Sequence, residues 1–183
     1  MKKCMIDSGV WRIACASLKH QMFKNNKMNY VEVIWAEILI SANKSEIILL
    51  YNDVIENEVL NDKKTFFIEN GNILDNETET SNKIEIIKTK SENAIKDMKK
   101  YGRRINTTSQ LSDDLENIIR NVTGDMSDKQ ILRDAISNDC DWIITFNKKH
   151  FKTGNLNGII EIANLFDYKD SFEASELLRK LRE

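Results

Sequence analysis

The chain has 183 residues, 41% of them apolar and 31% charged, with a formal net charge of -2 and a pI near 5.8. This excludes a disordered chain and argues against a broadly basic nucleic-acid coat, while leaving room for a local basic patch. A single domain over 1–183 is expected, and no apolar run approaches a membrane span.

The predicted elements alternate between strand and helix. Lys3 to Ile6 reads as a first strand that stops at the turn residues Asp7-Ser8-Gly9. Val10 to about Phe23 has Trp11, Ala14, Cys15 and Leu18 at helical spacing, and Tyr30 to Ala42 is long and apolar enough for a buried helix. Ile47 to Tyr51 is continuously apolar, as in a parallel strand covered on both faces. Asn52-Asp53 caps a helix from about Val54 to Lys63 that carries Glu56 and Glu58.

Ile84 to Ile87 is the expected third strand, and Ser91 opens a helix to about Tyr101, closed by Gly102. Lys99, Lys100, Arg103 and Arg104 gather at its end, where the helix dipole favours cations. Helices follow at 112–121 and 127–138, then strands at 142–145 and 159–162. An amphipathic helix, Ser171 to Arg182, ends the chain. Such alternation predicts an α/β fold: a three-layer α/β/α sandwich around a five-stranded, mostly parallel sheet.

The topology gives the acids a shared destination. Sites in open parallel sheets form beyond the carboxyl ends of the strands, and crossover helices start at that same edge. Asp7 ends the first strand, Asn147 follows the fourth, Asp128 opens a helix, and Glu58 lies in the first half of another. Glu56 and Glu58 stand about 200° apart on their helix, so only one can face the rim; the apolar neighbours Val54 and Val59 favour Glu58. Converging carboxylates repel unless a cation is present, and hard oxygen ligands suit Mg²⁺ or Mn²⁺. Asp125 reads as a helix cap, Asp134 and Asp139 as solvated, and Trp11, Trp35 and Trp142 as core.

Cys4, Cys15 and Cys140 are odd in number and lack C-x-x-C spacing, which reads as reduced thiols in a cytoplasmic protein. Asp7 comes too early for a signal peptide, and two distant histidines, His20 and His150, argue against zinc.

Several stretches together resemble the PIN-domain ribonucleases, the VapC-like toxins of many type II toxin–antitoxin pairs. They are Met5-Ile6-Asp7-Ser8, Asp53 to Leu60, Ile84 to Met98 and, most specifically, Asp128 to Phe151 with its Trp142-Ile143-Ile144-Thr145-Phe146-Asn147 core. The resemblance covers most of the chain and is weakest over 8–46 and 66–82. It implies an endoribonuclease in which Asp7, Glu58 and Asp128 bind Mg²⁺ or Mn²⁺, Asn147 assists where many members have a fourth acid, and Ser8 and Thr145 support the acids. An RNA substrate, an antitoxin partner and a homodimer are implied in the same way. Lys148, Lys149 and His150 would suit RNA phosphates. Helices 29–42 and 171–182 are the expected partner surfaces. Asn147 and the acidic pI also admit a PIN-fold module that binds RNA or protein with weakened or lost catalysis. A response-regulator-like receiver ranks lower, because Asp7 has no adjacent acid and no lysine directly follows Ile162.

Overall fold

A computed structural model describes residues 1–12, 30–69, 92–106, 111–146, 151 and 154–183, without the side chains of 30, 32 and 62–69. The elements in order are β1 (Lys2–Ile6), α1 (from residue 8), α2 (Tyr30–Asn43), β2 (Ile47–Tyr51), α3 (Asp53–Glu69), α4 (92–101) and β3 (Gly102–Arg104). There follow α5 (Asp113–Val122), α6 (Met126–Ser137), β4 (Trp142–Thr145), β5 (Gly154–Leu156), β6 (Ile160–Asn164), a short 3₁₀ turn (Leu165–Asp167) and α7 (Ser171–Arg182).

The strands form one sheet in the order β3-β2-β1-β4-β6-β5. All neighbours run parallel except β5 and β6. Cys4, Met5 and Ile6 of β1 are fully buried, as a central strand covered on both faces requires. The sheet is flanked by helices in an α/β/α arrangement. The β1–β2 connection carries α2, and the chain returns from β3 to β4 on the other side of β1 through α5 and α6. A right-handed crossover then places those helices on the opposite face.

On the α2 face, Trp11 meets Trp35 edge to face at 5.2 Å and Tyr51 at 6.3 Å. The Trp11 indole N–H donates to the Ile6 carbonyl at 3.1 Å, so this buried aromatic keeps its polar atom satisfied. All three tryptophans are core residues, as expected. The two helices expected as partner surfaces bury their apolar stripes inside the chain. Ile34, Trp35 and Ile38 of α2 and Ala174, Leu177 and Leu181 of α7 are buried, and α7 packs on α2. Arg182 ties the helices together by donating to Ser41 at 2.8 Å and Glu37 at 3.0 Å.

The expected count of five strands rises to six in the described residues, and two of the six are new. β3 is a three-residue strand, outermost among the described residues, paired with Leu49–Tyr51 in a segment that reads as a helix end and a basic cluster. β5 pairs antiparallel with β6 across a tight turn in which Asn157 and Gly158 both take positive φ, 52° and 75°. That is a hairpin device that Asn-Gly supplies at little steric cost. The expected strand 84–87 and the Ser91 cap lie outside the described residues.

Asp134, expected in solvent, is fully buried. It accepts from Asn52 Nδ2 at 2.6 Å and from Gln130 Nε2 at 2.8 Å. Asn52 in turn caps α3, its Oδ1 accepting from the Ile55 N–H at 2.9 Å. Asp139 is exposed, as expected, and takes a positive φ of 52° after α6. Among the described residues, no helix is long and apolar enough to cross a membrane.

Candidate active site

The strand order reverses between β1 and β4, and the rim beyond their carboxyl ends is where open parallel sheets place their sites. Asp7 occupies that position. Its backbone N–H still donates to the Ile144 carbonyl at 3.0 Å, extending the β1–β4 pairing by one residue. Its side chain is buried and fixed from two sides. Thr145 Oγ1 donates to Oδ2 at 2.6 Å, and the Ser8 N–H donates to Oδ1 at 2.7 Å. Ser8 and Thr145 therefore orient Asp7.

A cavity of about 380 Å³ opens above Asp7. Glu58 from α3 and Asp128 from α6 line it, together with Ser8, Gly9, Arg12, Asp125, Ser127 and Phe146. Three acids far apart in sequence thus share one cavity at the switch point. Glu56 points elsewhere and pairs with Arg104 at 3.5 Å, so Glu58 is the rim-facing acid. Asp125 is the α6 cap, accepting from the Ser127 N–H at 2.8 Å and the Asp128 N–H at 3.2 Å. The cap and the first-turn position hold Asp128 at the positive end of the helix. Asp128 is buried, with the Thr123 hydroxyl 3.4 Å from Oδ2.

Burial pushes the Asp7 carboxyl above its ordinary value, against the opposing pull of Thr145, Ser8 and Arg12. Burial likewise raises Glu58, and the nearby Asp7 adds to the rise, while the Ser8 hydroxyl, Arg12 and Ser127 work against it. Both acids resist ionisation in the protein by itself, so a cation in the cavity would relieve them.

This fixes a pH dependence. A carboxyl whose folded value is raised makes the folded state hold its proton more tightly than the unfolded chain. Its contribution to stability therefore falls as pH rises from the ordinary carboxylate range through the raised value. Asp7→Asn is expected to melt a few degrees above the parent at about pH 8, with the gain shrinking toward about pH 4. Thermal melts across that range in metal-free buffer check it; a constant difference would contradict it.

Two residues of this site escape the sequence reading. Arg12 sits one helical turn beyond Ser8, and its Nη2 approaches Ser8 Oγ at 3.3 Å. It brings a cation to a cavity otherwise lined by acids and hydroxyls; the i, i+4 spacing from Ser8 was the available signal. Phe146 lies against Gly9, where a Cβ would meet its ring at 3.7 Å. Nothing local distinguishes it from a core aromatic. Asn147, Lys148, Lys149 and His150 lie outside the described residues, as do Cys15 and His20.

Among the described residues, no group of three or more acid, cysteine or histidine side chains is drawn together as a ready chelate. Mg²⁺ does not require one, since it keeps several waters and is usually held through one or two carboxylates. The donor set here, carboxylates and hydroxyls around an open cavity, has the hardness such an ion selects. A slightly larger cavity of about 420 Å³ opens at the opposite edge, between Lys2, Asp141, Glu161 and Lys180. Its charges are mixed, with Lys2 and Asp141 paired at 3.4 Å, and it lies at the amino edge, away from the switch point.

Comparison of the chain with models of known protein families and with curated proteins finds no match in either.

Proposed function

We propose that the chain is a PIN-like, divalent-metal-dependent endoribonuclease, acting as the toxin of a toxin–antitoxin pair. The observation that carries the nuclease reading is the convergence of Asp7, Glu58 and Asp128 on one cavity beyond β1 and β4. The toxin role, the RNA substrate and the antitoxin rest on the sequence resemblance.

In this reading, Asp7, Glu58 and Asp128 would hold Mg²⁺ or Mn²⁺, directly or through waters the ion retains. When bound, the ion supplies Lewis-acid stabilisation of phosphate charge and lowers the pKa of a coordinated water. The protein's own residues do the rest. Ser8 and Thr145 lock the Asp7 carboxylate in one orientation, and Thr123 and the Asp125 cap hold Asp128. Arg12 offers a guanidinium to a phosphodiester entering the cavity, a pairing its planar fork suits. No protein nucleophile is required.

The two glutamates of α3 give the sharpest test. Glu58→Gln is expected to lower Mn²⁺-dependent RNA cleavage by about 100-fold, the scale on which a ligand of the ion matters. Glu56→Gln, one turn-phase away, is expected to leave it within about twofold. Cleavage of a labelled single-stranded RNA, with EDTA as blank, reads both; equal losses in the two variants would remove Glu58 from the site.

The second reading, a PIN-fold binding module without turnover, draws on Asn147 in place of an acid. EDTA-insensitive RNA binding with no product in Mn²⁺ would favour it.

A further inference from the structure

The acid cavity has an aromatic neighbour that the reaction does not use. Phe146 lines the cavity, and its ring packs on Phe166 with centroids 4.7 Å apart and planes tilted by 53°. Phe166 is 48% exposed, although a phenyl ring is among the side chains most readily buried.

Its position is built rather than incidental. β6 pairs with β4 in register, Thr145 opposite Asn164, so the end of β6 lies on the same rim as Asp7. Asn164 is fully buried, and its Oδ1 accepts from the Phe166 N–H at 3.1 Å, which fixes the turn that presents the ring. From the cavity outward the order is therefore Asp7 and Gly9, then Phe146, then Phe166.

We infer that Phe146 and Phe166 form a stacking platform for an unpaired nucleobase of single-stranded RNA, next to the cavity that takes its phosphate. The occupant follows from what lies side by side: a polar cavity with a guanidinium and metal-compatible acids, and a half-exposed aromatic side chain. A nucleotide carries the matching pair, an anionic phosphate and a planar base. Protein recognition of single strands relies on this stacking, which tolerates any base because every base has a π-face. A duplex buries its bases in its own stack and would not engage the ring. The inference rests on the nuclease reading for its substrate class, yet it can fail separately.

The test uses full-length Asp7→Asn protein, to keep the strand whole, and a short oligoadenylate containing a fluorescent adenine analogue that is quenched by stacking. Binding should quench the analogue. Phe166→Ala and Phe166→Leu should each bind about tenfold more weakly and lose the quench, because leucine keeps apolar bulk without a π-face. Phe166→Trp should retain both. Ile40→Ala removes an apolar group of similar exposure (44%) near the far end of α2 and should change neither.

Parent-like affinity and quench in the Ala and Leu variants would overturn the platform, as would failure of the Asp7→Asn protein and the parent in EDTA to bind the strand. Cleavage by the parent in Mn²⁺ is scored apart. If it cleaves while the Phe166 variants bind normally, the platform fails and the nuclease stands. Phe166-dependent binding without cleavage gives the reverse.

Discussion

Replacing Asp7 by Asn is expected to abolish Mn²⁺-dependent RNA cleavage, lowering kcat/KM by about 10³-fold or more. The magnitude follows from the several kcal/mol of transition-state charge stabilisation that a Lewis-acid ion supplies, of which ~4 kcal/mol corresponds to roughly three decades in rate. Asp7 is the acid best placed to anchor that ion. It ends the central strand, and Thr145 and Ser8 both donate to it, so its carboxylate is oriented before any ligand arrives. Asn keeps the shape and loses the charge. The same substitution is expected to stabilise the fold at neutral pH, since it removes a buried carboxyl that resists ionisation. A variant that is both inactive and more heat-resistant cannot owe its inactivity to unfolding. Cleavage kinetics and melts on one preparation decide the matter, and undiminished turnover in Asp7→Asn would remove the acid cavity from consideration as the reaction site.

The second large effect is expected far from the cavity floor. Asp134→Ala should cost about 3 kcal/mol of stability, a fall of roughly 6–12 °C in Tm for a chain of this size. Asp134 is fully buried and accepts from the fully buried Asn52 and the half-buried Gln130, so its removal takes the acceptor from the Asn52 amide in the interior. The loss also reaches α3. Asn52 caps that helix through the Ile55 N–H, so a freed Asn52 loosens the first turn of the helix that carries Glu58. Asp134→Asn retains one acceptor oxygen and should lose markedly less. Melts of the two variants read the stability. A drop in Mn²⁺-dependent turnover at a temperature where Asp134→Ala stays folded would read the displacement of Glu58. Equal Tm values for Asp134→Ala and parent would show that the buried contacts contribute nothing.

Much of this architecture is legible in the sequence because it is locally encoded. The unbroken apolar runs Ile47 to Tyr51 and Trp142 to Ile144 announce buried parallel strands. The turn after Ile6 and the cap before Ser127 then place Asp7 and Asp128 without knowledge of any long-range contact. Glu58 requires one further step, the helical phase that separates it from Glu56, and the cavity lining agrees with that choice. What the sequence hides depends on partners elsewhere in the chain. Gly102–Arg104 has no apolar alternation and becomes a strand only because β2 offers it an edge. Asp134 carries no mark of burial, since its partner Asn52 is 82 residues away. The β5–β6 hairpin is an intermediate case: Asn157-Gly158 is a strong turn signal, but the polar Gly154-Asn155 flank masks the strand before it.

The brevity of β3 has a bearing on self-association. Among the described residues, the sheet ends on that side in three residues, two of them arginines exposed to solvent. One of these, Arg104, is already held by Asp53 at 2.7 Å. Short, cationic borders of this kind discourage the runaway strand-on-strand growth to which open sheets are prone.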